Sequence, residues 1–233
     1  MSIATYDERR GRLETYFNKT AVDAWAQLTS NSPVSRIRET VRQGREQMRS
    51  VLLSWLPQDM SRSVLLDAGC GTGALSVAAA RRGATVVAVD IAGNLVELAR
   101  ERAPDDLAPG SIDFRVGDML SAEHGDFSHV AAMDSLIHYP AAEILRVLGA
   151  LAGRTSGSIV FTFAPSTPLL TLALAVGRLF PRSDRSPAIE PVTEARLRKA
   201  LSARGEFSGW RVGRTARVAR GFYTSHAMEL VRG

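Results

Sequence analysis

At 233 residues, 45% of them hydrophobic, the chain is long enough for one domain with a modest appendage, and its single cysteine excludes an internal disulfide. No run of about 18 apolar residues occurs, which excludes a membrane-spanning helix, and the polar stretch Met1–Arg12 lacks the apolar centre of a signal peptide. The formal charge of +5 comes almost wholly from arginine, since lysine occurs only at Lys19 and Lys199; it suits an anionic partner without naming one.

Residues Tyr6 to Leu56 read as two or three helices. One segment begins at Glu14-Thr15-Tyr16-Phe17-Asn18, with Val22, Trp25 and Leu28 as its apolar face, and Pro33 interrupts. Ile37, Val41, Gly44, Met48, Leu52 and Trp55 then recur at helical spacing, so a long amphipathic helix is expected to end before Pro57. Beside that stripe run Arg38, Arg42, Arg45 and Arg49. They read either as a solvated face balanced by Glu39 and Glu46, or as an anion clamp on a lid.

Val64-Leu65-Leu66 is a buried strand leading into Asp67-Ala68-Gly69-Cys70-Gly71-Thr72-Gly73, and Ala74 to Ala80 follows as a small-residue helix. Glycines at alternate positions let the backbone turn sharply and approach a ligand beyond the strand's carboxyl end. The spacing is neither the dinucleotide fingerprint nor a Walker loop. Cys70 sits inside this turn, where small size explains it better than reactivity, and a lone thiol fits a reducing, cytoplasmic location. Thr85–Val89 is the next strand. It ends in Asp90, placed to accept both ribose hydroxyls of a nucleoside, and also to cap the helix Gly93–Arg102.

Ile112–Val116 is a third strand, followed by Gly117-Asp118-Met119, and Ser128–Asp134 is a fourth. Pro140 suits the first position of a helix over Ala141–Ala152. Ser158–Phe163 is a fifth strand, Thr193 caps a helix over Glu194–Ala203, and Trp210–Arg217 with Phe222–Leu230 forms a terminal antiparallel pair. Between the fifth strand and that helix lies an insertion, Ala164 to Val192. Its stretch Leu169–Val176 is apolar on most faces and must bury against the sheet, a large apolar ligand or a membrane surface. Pro181–Pro191 then reads as a basic flap. The expected organisation is a helical lid over residues 1–57 and a core over 58–233, with the insertion 164–192 covering the substrate.

Asp67-x-Gly69-x-Gly71-x-Gly73 resembles motif I of the class I S-adenosylmethionine-dependent methyltransferases. That resemblance implies a Rossmann-like α/β sheet of seven strands in the order 3-2-1-4-5-7-6, the last strand antiparallel. It implies S-adenosylmethionine as co-substrate, bound by Asp67, Gly69, Gly71, Gly73, Asp90, Ile91, Asp118, Met119 and Asp134. Asp118 would face the adenine amino group while Met119 packs on the ring.

A narrower resemblance rests on Tyr16-Phe17-Asn18 with Trp25, on Arg42-Gln43-Gly44, and on Asp134-Ser135-Leu136-Ile137-His138-Tyr139-Pro140. Phe163-Ala164-Pro165 with Thr167, and Leu179-Phe180-Pro181, extend it over nearly the whole chain. These strings are similar to the magnesium-protoporphyrin IX O-methyltransferase family. One departure stands out: the family usually has Gly-His where this chain has Gly44-Arg45. The resemblance implies methyl transfer to a propionate of magnesium protoporphyrin IX in (bacterio)chlorophyll synthesis, with magnesium present only as part of the substrate. It gives His138 and Tyr16 catalytic roles and Arg42 a place in substrate binding. The partners it suggests are the porphyrin-binding subunit of magnesium chelatase and, peripherally, the inner photosynthetic membrane.

The residues themselves leave His138 three roles: orienting the propionate, ligating the substrate's magnesium, or capping the turn before Pro140. Tyr16 reads equally as lid or as an ordinary helix tyrosine. His124, His129 and His226 have no ligand pattern, so no protein metal site is expected. A nucleic-acid methyltransferase stays open on charge alone; against it, no Asn-Pro-Pro-Tyr-type tetrapeptide follows the fourth strand, and aromatics are sparse in the basic segments. A non-catalytic tetrapyrrole carrier is the other alternative. The retained acids Asp67, Asp90 and Asp118 argue against it.

Overall fold

The computed structural model describes residues 6–19, 36–166 and 189–233. Helix α1 spans Tyr6–Lys19 and α2 spans Arg36–Trp55. Strands β1 (Val64–Ala68), β2 (Thr85–Asp90) and β3 (Ser111–Val116) alternate with α3 (Ala74–Ala80) and α4 (Gly93–Arg102). Then come β4 (Phe127–Ala132), α5 (Ala141–Ala152), β5 (Thr155–Phe163), α6 (Glu194–Ser202), β6 (Trp210–Arg220) and β7 (Tyr223–Arg232). The expected features at Val22, Trp25, Leu28, Pro33, Thr167, Leu169–Val176 and Leu179-Phe180-Pro181 lie outside the described residues.

The seven strands form one sheet in the order β3-β2-β1-β4-β5-β7-β6, as expected. β7 runs antiparallel to both of its neighbours, and the other described pairings are parallel. Side chains alternate along each strand, so every central strand feeds two cores. Leu65, Val86, Ala88 and Ala131 point to the face covered by α2, α3 and α4, where Met48, Leu52, Leu75 and Val96 meet them. Leu66, Val87, Val89 and Val130 point to the other face, under Ile144 and Leu148 of α5 and Leu197 of α6. Tyr6 and Leu13 of α1 join this second core.

Two sequence expectations shift. α1 starts at Tyr6 rather than near Glu14, because its anchor is an aromatic at the first turn and not a repeating stripe. Ile37, read as part of the apolar face of α2, is 53% exposed, because the first turn of that helix overhangs the sheet. Of the remaining stripe, Gly44, Met48 and Leu52 are buried, and Val41 and Trp55 are half-buried. Met48 and Leu52 are fully covered by the sheet, worth roughly 1.5–3 kcal/mol each. The helix therefore shares one packed layer with α3 and α4, and the packing is continuous across residue 57.

Gly44 marks where α2 comes closest to the sheet. A Cβ there would lie 2.5 Å from Tyr223 Cδ1, and the Tyr223 ring is tethered by its hydroxyl, which donates to Asp134 Oδ1 at 3.0 Å. Gly44→Ala gains about 1 kcal/mol of helix propensity but incurs overpacking of about 1–3 kcal/mol against a ring that cannot yield. A net loss of stability is expected in denaturant unfolding; an equally or more stable variant would show that the helix can slide.

Candidate active site

β1 delivers Asp67 to the carboxyl edge of the sheet, and the chain then turns through Gly69, Gly71 and Gly73 at φ +85°, +53° and +77°. These left-handed conformations favour glycine. The three do different work. A Cβ on Gly69 would strike Ser135 at 2.4 Å, one on Gly73 would meet the Phe114 ring at 2.9 Å, and one on Gly71 would meet nothing within 4 Å. Gly71 thus opens onto ligand space, whereas Gly73 is a packing glycine.

Asp90, at the end of β2, accepts from Gly71 N–H at 2.8 Å and from Ala92 N–H at 2.9 Å. Ala92 is the N-cap of α4, so the acid clamps the glycine turn instead of capping the helix itself. Asp67 is buried and accepts from Ser76 Oγ at 2.5 Å. Burial, reinforced by the neighbouring Asp90 charge, pushes the Asp67 carboxyl up to about 7, against the lowering effect of Ser76. Burial raises Asp90 too.

The sign of the linkage follows. Between about pH 4 and 7 the native Asp67 keeps a proton that the unfolded chain has released, so stability falls as pH rises through that window and levels off above it. Asp67→Asn removes this slope. The thermal midpoint of wild type relative to the variant is expected to drop between about pH 5 and pH 8, and parallel profiles would show that Asp67 ionises normally.

Met133 and Asp134 follow β4, and Asp134 is the sole non-glycine residue at positive φ (55°) among the described residues. Its carboxylate is a hub. It accepts from Arg45 at 2.7 Å, from Tyr223 Oη at 3.0 Å, and from Ser225 Oγ and Thr162 Oγ1 at 3.3 Å. One carboxylate thereby ties α2 to β5 and β7. Beyond it, Leu136–His138 forms a short 3-10 turn, and the Ser135 hydroxyl is buried with no hydrogen-bond partner.

These elements enclose a cavity of ≈ 290 Å³. Asp67, Gly69, Gly71, Asp90 and Ile91 line one wall; Met119, Asp134 and His138 line another; Arg42, Arg45 and Arg49 of α2 complete it. Tyr6, Leu13 and Phe17 of α1 supply an apolar side. α1 is strapped down by Tyr6 Oη and Arg10, which donate to Asp118 at 2.7 and 2.5 Å, and by Arg9, which meets Glu190 at 3.0 Å. Burial works against the Asp118 charge, but bonds from Leu120 N–H, Tyr6 and Arg10 outweigh it and hold its carboxyl below the ordinary range. The open face at Gly71, the buried acid at Asp90 and the orphan Ser135 hydroxyl fit a polar nucleoside cofactor such as S-adenosylmethionine.

Comparison with known proteins decides the family. The chain is 48% identical over 225 residues, 96% of its own length and 97% of the relative's, to the magnesium-protoporphyrin O-methyltransferase of Rhodobacter capsulatus. It belongs to the magnesium-protoporphyrin O-methyltransferase family. A Synechocystis relative of the same name is 32% identical across the full length of both chains. The family model described as magnesium-protoporphyrin IX methyltransferase C-terminus matches residues 132–232, and one described as a methyltransferase domain matches 65–155. The crystal structure of magnesium protoporphyrin IX methyltransferase from Synechocystis PCC 6803 with bound SAH superposes with a TM-score of 0.81 at 30% identity, covering 96% of this chain and 99% of that one.

Against that family background, the expected site residues divide. Asp67, Gly69, Gly71, Asp90, Ile91, Met119, Asp134, His138 and Arg42 all line the cavity. Gly73, Asp118 and Tyr16 are not among its lining residues. Gly73 packs on Phe114, and Asp118 is engaged by α1. Tyr16 sits edge-on to Phe17 at 5.2 Å, and it is Phe17 that reaches the cavity, 6.1 Å from the His138 ring.

Arg42, Arg45 and Arg49 of the arginine row are ion-paired and also line the cavity. Arg42 and Arg49 pair with Glu39 and Glu46 one turn away, yet they and Arg45 face the cavity. Arg45, the family departure, occupies the Asp134 hub. Burial, and then the adjacent Arg45 charge, lower the pKa of Arg49, while its ion-pair partner Glu46 also lines the cavity. Sequence reasoning missed Tyr6, for which no local signal exists. It also gave no role to Ser135 and Tyr139, both inside the quoted Asp134–Pro140 string.

Proposed function

We propose that this protein esterifies a propionate carboxylate of magnesium protoporphyrin IX with the methyl group of S-adenosylmethionine, giving the monomethyl ester in (bacterio)chlorophyll biosynthesis. The observation that carries this reading is that the glycine–acid cradle and a wall of three arginines plus His138 face the same cavity. One wall suits a nucleoside cofactor; the other suits an anionic second substrate.

When bound, S-adenosylmethionine supplies an electrophilic methyl group on a positively charged sulfur. A propionate has a solution pKa near that of Glu, about 4.3, so it is ionised at neutral pH and needs no strong base from the protein. The work left to the chain is alignment and exclusion of water. Arg42, Arg45 and Arg49 attract the carboxylate. His138 holds one oxygen in line, and Tyr6, Leu13, Phe17, Met133 and Tyr139 keep water out. A dry cavity favours the union of opposite charges. Asp90 takes the ribose hydroxyls, Met119 packs on the adenine ring, and Asp118 serves its amino group from just outside the lining. Tyr16 is a second catalytic candidate, one residue from Phe17, that a small rotation of α1 would present.

At the small end of ligand pockets, the cavity holds the cofactor and the reacting propionate. The macrocycle lies at its mouth, against α1. The porphyrin-binding subunit of magnesium chelatase is the proposed donor of the substrate, and the proposed location is cytoplasmic with peripheral membrane contact. No described helix is long and apolar enough to cross a membrane.

A methyl-transfer assay tests the reading. Labelled methyl should pass from S-adenosylmethionine to magnesium protoporphyrin IX in preference to the metal-free porphyrin, and not to RNA. A Soret shift without turnover would make the protein a carrier, and methylated RNA would overturn the substrate class.

A further inference from the structure

The β6–β7 hairpin reverses through two residues, since Arg220 pairs with Tyr223 across the turn. Gly221, at φ +54°, takes the first position, as a tight hairpin of this kind requires. The second position holds Phe222, and it is 76% exposed. Turn tips ordinarily carry small polar residues. Nothing in the hairpin's own geometry requires an aromatic there.

The tip does not stand alone. Along α2, Gly44 sits on Tyr223 and Thr40 sits against Gly221, where a Cβ would come within 2.6 Å of Thr40 Oγ1. Ile37, whose carbonyl accepts from Thr40 Oγ1, lies one turn further along the same stripe, beyond the tip. It is 53% exposed. Two of the three most exposed large apolar side chains among the described residues, Phe222 and Ile37, therefore project from one corner. The surround is basic. Arg36 and Arg38 flank Ile37 and are exposed, as is Arg220 beside the tip; the nearby acid Glu39 is held by Arg42 and Gln43, and no acidic residue occurs between Phe207 and Met228. Arg220 also leans on Gln47 of α2 at 3.3 Å, which fixes the two elements together.

This corner lies at the ligand edge of the sheet. Tyr223, the next residue after the tip, reaches Asp134 in the cavity wall, and Arg42 lies five positions from Ile37 along α2. We propose that Phe222 and Ile37, flanked by Arg36, Arg38 and Arg220, form a docking surface for an anionic lipid bilayer at the mouth of the active site. Apolar side chains that enter the acyl boundary and arginines that meet headgroups are the two parts of interfacial attachment. The surface names the place of the peripheral membrane contact, and its function rests on the reading of the substrate as an apolar macrocycle that partitions into lipid.

The test is flotation of the full chain with vesicles of phosphatidylcholine alone or with added phosphatidylglycerol, at low and high salt. Wild type should float with the anionic vesicles and release with salt. Phe222→Ser should weaken that binding about tenfold or more, and Arg36→Glu with Arg220→Glu should weaken it about fivefold or more per site. All variants should keep wild-type kcat on detergent-dispersed magnesium protoporphyrin IX, which separates failure of the surface from failure of the substrate reading. Equal binding to neutral vesicles, no binding by wild type, or wild-type binding by Phe222→Ser would overturn the proposal. So would a concentration-dependent dimer that Phe222→Ser dissolves, since the patch would then belong to a second copy.

Discussion

Replacing His138 with alanine is expected to lower kcat about 10²-fold while leaving S-adenosylmethionine affinity nearly unchanged. The residue ends the 3-10 turn that lines the cavity, and its backbone carbonyl accepts from Arg9 at 3.3 Å. The turn is held by backbone bonds from Tyr139 N–H to the Leu136 carbonyl and from Glu190 N–H to the Ile137 carbonyl, so loss of the ring should not collapse the loop. The expected loss sits at the low end of acid–base effects because the propionate is ionised without help. Steady-state kinetics with calorimetry on the cofactor would check it. A loss confined to porphyrin binding, absent for metal-free porphyrin, would instead make His138 a ligand to the substrate's magnesium. Unchanged kcat and KM would leave it as a turn residue.

Asp90→Ala is expected to weaken cofactor binding by about 1–3 kcal/mol through unpaired ribose hydroxyls. The structure adds a second cost. Asp90 is also the acceptor for Gly71 N–H and Ala92 N–H, and leaving such donors buried costs about 1–3 kcal/mol each. Stability should therefore fall together with affinity, and the two need separate measurement, by denaturant unfolding and by calorimetry. A folded variant with wild-type affinity would remove Asp90 from the cofactor site.

The parallel core was legible in the sequence because strands buried on both faces appear as continuous apolar runs. The helices Ala74–Ala80, Gly93–Arg102 and Ala141–Ala152 match the structure residue for residue. Ends were harder. β6 runs on to Arg220 and β7 to Arg232, past the read limits, because an edge strand with arginine at every third position shows no alternation. β4 stops at Ala132 rather than Asp134, whose positive φ breaks the strand to form the hub.

The site was legible where a residue lies at a strand's carboxyl end or in the loop beyond it, as Asp67 and Asp90 do at the ends of β1 and β2 and His138 does in the turn after β4. It was not legible where the partner is remote. Tyr6 meets Asp118 across 112 residues, and no local pattern announces that Tyr6, rather than Tyr16 or Phe17, anchors this polar helix. Arg45 was read as one of the arginine row and as a departure from the family pattern; its bond to Asp134 shows that a guanidinium is built into the wall at that position.

The seat of Gly44 on Tyr223 has a consequence for how the chain is assembled. α2 is synthesised before any strand of the sheet, yet the surface it covers is completed by β7, the last strand in the chain. Contacts of such long sequence separation form late, because closing the intervening loop costs entropy before any packing is gained. A growing chain can pair β1 with β2 and β3 early, but α2 keeps part of its apolar stripe uncovered until the C-terminal hairpin emerges. During synthesis that stripe is the exposed hydrophobic surface most open to wrong association. The C-terminal hairpin, Trp210–Arg232, thus acts as the closing piece for α2.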